Sequence, residues 1–314
     1  MLFYGGGMRL IASAIAIMLL VSQNTAQAQG KSTAERLGYP QDAKLLIIHA
    51  DDLAVGHSED AASFDALKKG AATSASIMVP CPWLTEVADY AKAHPDADLG
   101  LHLTLTSEWK TYRWGPVASK DQVPSLLDSS GYLWPASEPA KQHIKADEAE
   151  REIRAQMEKA TSMGIHPTHI DSHMGVLFSR PDLFAAYVRV AHEFKLPFLA
   201  VRTPDAPAAL LSLLSDKDIV LDSIVMASPE VKPGDWKTFY LNAIKNLKPG
   251  LTEFIVHLGY DDAELQAVTV DHPDYGSAWR QRDYDVISSP EFKKALEDNR
   301  VILIRWADIK KLLR

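Results

Sequence analysis

The sequence predicts an α/β fold, an irregular (β/α) barrel, and three observations carry that reading. Short apolar, β-branched runs recur along the chain, helical stretches fall between them, and polar residues capable of chemistry collect where the runs end. Strands alternating with helices imply parallel strands joined by crossover helices. An open doubly wound sheet is the alternative, but no G-x-G-x-x-G fingerprint follows the first run.

The runs expected as strands are 45–50, 75–79, 99–106, 198–202, 253–257 and 301–306. Helices are expected over 60–69, closed by Gly70, over 82–94, opened by Pro82, and over 146–163, closed by Gly164. The alternation breaks over 107–145, where Trp109, Tyr112, Trp114, Tyr132 and Trp134 gather among prolines. A loop this long is often functional. Its aromatic rings either stack on sugar faces or pack together as a small satellite core.

At 314 residues and 46% hydrophobic composition, the chain can bury a sizeable core. Arg9, the apolar run 10–21 and the Ala26-Gln27-Ala28 tripeptide read as a secretory signal over 1–28 with cleavage after Ala28. The product, 29–314, is expected to be a single periplasmic or secreted domain with no membrane span. Cys81 is the one cysteine, so an intrachain disulfide is excluded. The formal charge of −8 comes without a basic cluster, which argues against nucleic acid as a partner. A homodimer stays open.

Asp51 and Asp52 end the first run, His102 lies in the third, His169, Asp171 and His173 follow Pro167, and His257 ends a later run. In a (β/α) barrel the C-terminal strand ends converge on one face, so these residues can meet there. Two imidazoles and a carboxylate form an ordinary set for a catalytic metal that keeps a position open for water. Adjacent carboxylates on a strand point to opposite sides, so a turn must re-aim one of them. Alone, an Asp pair is common in surface turns and a single His in GLHLTLT reads as a satisfied core residue. The THIDSH segment is harder to explain without a site, because buried imidazoles and carboxylates must be paired or bound. His94, His143, His166 and His192 are expected to be solvated.

LIIHADDLA (46–54), GAATSASIMV (70–79), GLHLTLT (100–106) and HPTHIDSH (166–173) occur in an order that resembles the YdjC-like (ChbG-type) carbohydrate deacetylases, a polysaccharide deacetylase-like group. The resemblance implies an irregular barrel of the glycoside hydrolase and deacetylase type. It also implies one divalent metal held by Asp52, His102 and His173, with Asp51 as general base and His257 as acid toward the leaving amine. Zinc is favoured for that ligand set, and magnesium is not distinguished from it. The chain departs from the family pattern at Leu53 and Ala54, at Gly175 and Leu177 where further histidines are usual, and at Leu258 where proline is usual.

The expected reaction is hydrolysis of N-acetyl groups on amino sugars or oligosaccharides. Asp171 and His169 are expected to support the ligands or touch substrate, Trp114 to meet the sugar, and Arg280 and Arg282 either to orient Asp51, to bind substrate or to be surface charge. Two rivals keep the fold: a paired-carboxylate glycosidase, which leaves the histidines unexplained, and a non-catalytic glycan-binding protein.

Overall fold

A computed structural model describes residues 31–202 and 208–313. The strands are β1 (Lys44–Leu53), β2 (Ser74–Ile77), β3 (Leu99–Leu103), β4 (Ile170–Ser172), β5 (Ser223–Val225), β6 (Gly250–His257) and β7 (Val301–Leu303). All pair in parallel in the order β4-β3-β2-β1-β6-β5, with β7 beside the first residues of β1. Segment 197–202 carries the hydrogen bonding onward from β4. Ile170 N donates to Pro197 O, Leu199 N to Ile170 O, Leu221 N to Ala200 O, and Asp222 N to Leu251 O of β6. The curled sheet thus comes round on itself, which is a barrel and not an open doubly wound sheet.

Period-two alternation decides what enters that barrel. Along β1, Leu46, Ile48 and Ala50 join the large core under the helices, while Leu45 and Ile47 join a smaller inner cluster with Leu221, Leu251 and Trp306. The inner row continues upward as His49 and Asp51. On β6, Phe254 and Val256 join the large core, leaving Leu251, Glu253, Ile255 and His257 in the alternate row. Leu99, Leu101 and Leu103 of β3 likewise face the helices, so Gly100 and His102 point inward. The lowest layer of the barrel, around Leu45, Leu221 and Leu251, is apolar, and above it the interior carries Glu253, His49, Asp51 and His257.

The helices fall close to expectation. His57–Lys69 closes at Gly70 with φ of 69°, Leu84–Ala93 follows β2, and Ala146–Ser162 precedes β4. Three expectations change. Strand 99–106 stops at Leu103, leaving Thr106 in a single bridge to Trp134. Segment 198–202 makes isolated bridges in place of a ladder. Segment 301–306 divides into β7 and the helix Trp306–Lys310. β5 went unread because it has three residues, all half-buried, and so no apolar run.

Lys31–Arg314 is one compact unit. The expected signal segment 1–28 lies outside the described residues. Among the described residues no helix is long and apolar enough to cross a membrane. The 107–145 insertion holds a 3-10 turn at Pro124–Leu126 and the helix Ser137–His143. Its Trp109 and Trp114 are buried in the large core, so the packing alternative describes those two rings.

Candidate metal centre and active site

β1 delivers both aspartates to one side. Asp51 is in the inward row, and its register partner across the β1–β6 ladder is His257. Asp52 would face outward on a regular strand. Its φ is 70°, that of Ala54 is 79°, and the β1–β2 register shifts between Ala50 and Leu53. This left-handed bulge turns the second carboxylate inward, and its backbone strain sits where it aims a functional group.

Asp52, His102 and His173 meet. Asp52 Oδ1 stands 3.4 Å from His102 Nε2 and 3.3 Å from His173 Nδ1, and one donor atom from each residue lies within 4.8 Å of the others. All three side chains are buried. Asp52 Oδ1 has no hydrogen-bond partner, which is costly for a buried carboxylate unless a cation completes it. Two other sets, His49 with His169 and Asp171, and Asp51 with His102 and Asp171, are equally close. Their facing atoms are already joined, by His49 Nε2 to Asp171 Oδ2 at 2.9 Å and by His102 Nδ1 to Asp171 Oδ1 at 2.6 Å. The Asp52 set is the one whose donors fit a divalent ion, with the oxygen and nitrogen chemistry zinc accepts.

The remaining expected residues separate. Asp171 joins His102 and His49 and touches the centre only through them. His169 lies deeper, stacked on Trp306 at 5.1 Å and bonded to Thr168. Arg280 is buried and its Nη2 meets Asp52 Oδ2 at 2.7 Å, so it orients Asp52 and not Asp51. Arg282 lies over the Trp236 ring at 4.6 Å. Trp114 is 4% exposed and gives its indole N–H to Thr106 O at 2.8 Å, which leaves no ring face for sugar. His94, His143, His166 and His192 are exposed, as expected.

Several participants were not singled out from sequence. His49 Nε2 reaches Asp51 Oδ1 at 3.1 Å and Ser76 Oγ at 3.0 Å, so it is the group beside Asp51. Glu108 accepts from His173 Nε2 at 3.0 and 3.1 Å. Asp283 accepts from the His257 N–H at 3.0 Å, Trp236 Nε1 at 2.7 Å and Tyr240 OH at 2.8 Å. His49 was readable from its place two residues before Asp51 on an alternating strand. Glu108 and Asp283 carried no such signal, because one lies in irregular chain and the other on a helix.

The electrostatics favour cations in this space. Burial opposes charge on His173, but Glu108 and then Asp52 raise it to about 10. Burial likewise opposes charge on His102, and Asp51 and Asp171 still raise it above its ordinary value. Against the same burial penalty, Arg280 and then His173 hold Asp52 well below the usual carboxylate range. A site that attracts protons onto two imidazoles is one where a divalent ion can replace them. His257 is different: burial lowers it to about 4, so it is neutral at neutral pH.

The chain matches the family model described as YdjC-like protein over residues 45–298. It is 32% identical over 272 residues to a carbohydrate deacetylase of Thermus thermophilus, covering 84% of this chain and 93% of that protein. It is 30% identical over 159 residues to a chitooligosaccharide deacetylase of Yersinia enterocolitica, covering 49% and 58% respectively. Among solved structures, an Enterococcus faecalis protein named for cellobiose-phosphate cleavage superposes with a TM-score of 0.72 at 24% identity, covering 84% of this chain and 98% of that one; this shows the shared fold. A family match across most of the length, together with the Thermus relative, establishes that the chain belongs to the YdjC-like family.

Proposed function

We propose that this chain is a metal-dependent carbohydrate deacetylase that hydrolyses N-acetyl groups of amino sugars or oligosaccharides, acting in the periplasm or outside the cell after loss of residues 1–28. The observation that carries the reading is the convergence of Asp52, His102 and His173 beside the Asp51–His257 register pair. The names of the Thermus and Yersinia relatives support the substrate class.

Asp52, His102 and His173 would hold the ion, with zinc favoured by the ligand set. When bound, the ion supplies Lewis acidity to the acetamide carbonyl and to the attacking water. Asp51 is the base that takes the water's proton, and His49 at 3.1 Å fixes its carboxylate. His257 is neutral in the resting site, so it first presents a neutral imidazole to the leaving nitrogen. It becomes the acid only on receiving a proton, and Asp51, its register partner on the adjacent strand, is the proposed source of that proton. Arg280 holds Asp52 ionised and fixed.

The test is metal analysis of the purified chain, followed by acetate release from N-acetylglucosamine oligomers. His173→Ala is expected to abolish both metal binding and acetate release, and retention of either refutes the assignment. New reducing ends without acetate would identify a glycosidase. Stoichiometric sugar binding that survives chelation, without turnover, would identify a binding protein.

A further inference from the structure

Each imidazole of the centre has two nitrogens, and the structure spends them in the same way. His102 turns Nε2 toward Asp52 and gives Nδ1 to Asp171. His173 turns Nδ1 toward Asp52 and gives Nε2 to both oxygens of Glu108. A carboxylate that accepts from one ring nitrogen fixes the tautomer, leaves the lone pair on the other and locks the ring's orientation. The two rings stand edge to face at 5.0 Å, so each needs such an anchor to keep its lone pair on the common point.

The anchors differ in origin. Asp171 sits in the ladder as the register partner of His102. Glu108 lies on no strand; it follows β3 at the start of the 107–145 insertion, and the two residues before it are bonded to the rest of that insertion. Thr106 bridges Trp134 and Ser107 N donates to Trp134 O at 2.8 Å. Ser107 Oγ accepts from Trp114 N at 2.9 Å and Arg113 Nε at 3.2 Å, while Trp114 Nε1 donates to Thr106 O. Arg113 in turn donates to Leu133 O and pairs with Asp128. The residues immediately before Glu108 are thus bonded to both ends of the insertion's aromatic core.

We propose that Glu108 is a positioning residue for His173, and that the buried aromatic core of the insertion serves the metal centre by holding Glu108 in place. This rests on the metal reading of Asp52, His102 and His173. It assigns Trp114 and Trp134 a role in cation affinity that is separate from sugar contact.

The experiment uses the purified protein stripped of metal, titrated with Zn²⁺ against a chromogenic chelator and with Co²⁺ by its visible spectrum. Glu108→Ala is expected to weaken Zn²⁺ affinity by roughly 10- to 100-fold and to alter the Co²⁺ bands. Glu108→Gln keeps an acceptor for Nε2–H and is expected to recover most of that loss. Affinity equal to wild type in Glu108→Ala overturns the proposal. So does a loss that Glu108→Gln leaves wholly unrepaired, because that outcome reports a general disturbance of the fold. Trp114→Phe keeps an aromatic ring, though a smaller one, removes the N–H bond to Thr106 and is expected to weaken Zn²⁺ several-fold; if Glu108→Ala does not fold, unchanged affinity in Trp114→Phe overturns the proposal instead. His173→Ala in the same titration separates the two readings. Undiminished binding there refutes the metal centre itself, whereas lost binding there with normal Glu108 variants refutes only the positioning role.

Discussion

At the scale of single residues, the site depends on the left-handed φ of Asp52, which brings two consecutive carboxylates to the same side of a strand. Those carboxylates then differ in their neighbours. Asp52 is tied to Arg280 and faces both imidazoles, while Asp51 meets His49 and Ser76 and is the register partner of His257. Asp51→Asn is therefore expected to bind metal as wild type does and to lose about 10²- to 10⁴-fold in kcat, the ordinary worth of a general base. Parallel metal titration and acetate-release assays check it, and near-normal turnover would remove Asp51 from that role. The dipeptide was legible in the sequence, and the resemblance assigned Asp52 to the metal and Asp51 to the base; the inward turn of Asp52 was not legible, since it follows from a bulge that no side-chain type in ADDLA demands.

At the scale of elements, two close fits hold the site in shape. A Cβ at Gly100 of β3 would lie 2.4 Å from the His169 ring, which is itself stacked on Trp306. Gly100→Ala is expected to destabilise the fold by about 1–3 kcal/mol through overpacking. Urea denaturation measures this, and coupling with His169→Ser should restore part of the loss. The helix Ser277–Ile287 is the second case. It carries Arg280 to Asp52 and, one turn later, Asp283 to three donors from two other elements. Asp283→Ala leaves those buried donors unsatisfied and is expected to cost about 2–4 kcal/mol. It should also loosen Arg280 and so weaken metal binding in the same titration; wild-type stability would show that the helix is docked by other contacts. The strand-helix alternation was readable because apolar period and helix punctuation are local. β5 and the bridges at 197–202 were not, because short half-buried segments acquire extended structure only from neighbours already in place.

At the scale of the whole molecule, the barrel interior stores ionisable groups beneath the site. Glu253 lies inward on β6, accepts from Trp306 Nε1 at 2.9 Å and is raised to about 8 by burial, with His49 opposing that shift. Its folded value exceeds its unfolded one, so the folded state holds a proton that the unfolded state has released. The contribution of Glu253 to stability is therefore full below about pH 4.5 and declines as pH rises toward about 8. Glu253→Gln is expected to become progressively more stable than wild type across that window, by up to roughly 4 kcal/mol at its upper end. Chemical denaturation at several pH values measures the difference, and one independent of pH refutes the account. Metal acts on the same scale by mass action. A hundredfold excess over Kd adds about 2.7 kcal/mol to the stability of the folded chain, so chelation is expected to lower Tm and His173→Ala to remove that response.

The sequence by itself determined the (β/α) alternation and the residue types available for a metal, because these depend on side-chain period and composition within short stretches. Tertiary structure alone decided that Asp52 faces inward, that Arg280 serves Asp52, that Trp114 is core, and that Glu108, His49 and Asp283 stand behind the centre. Those outcomes depend on distances between segments as much as 228 residues apart. Such distances are fixed only when the strands close the barrel and the buried charges find partners.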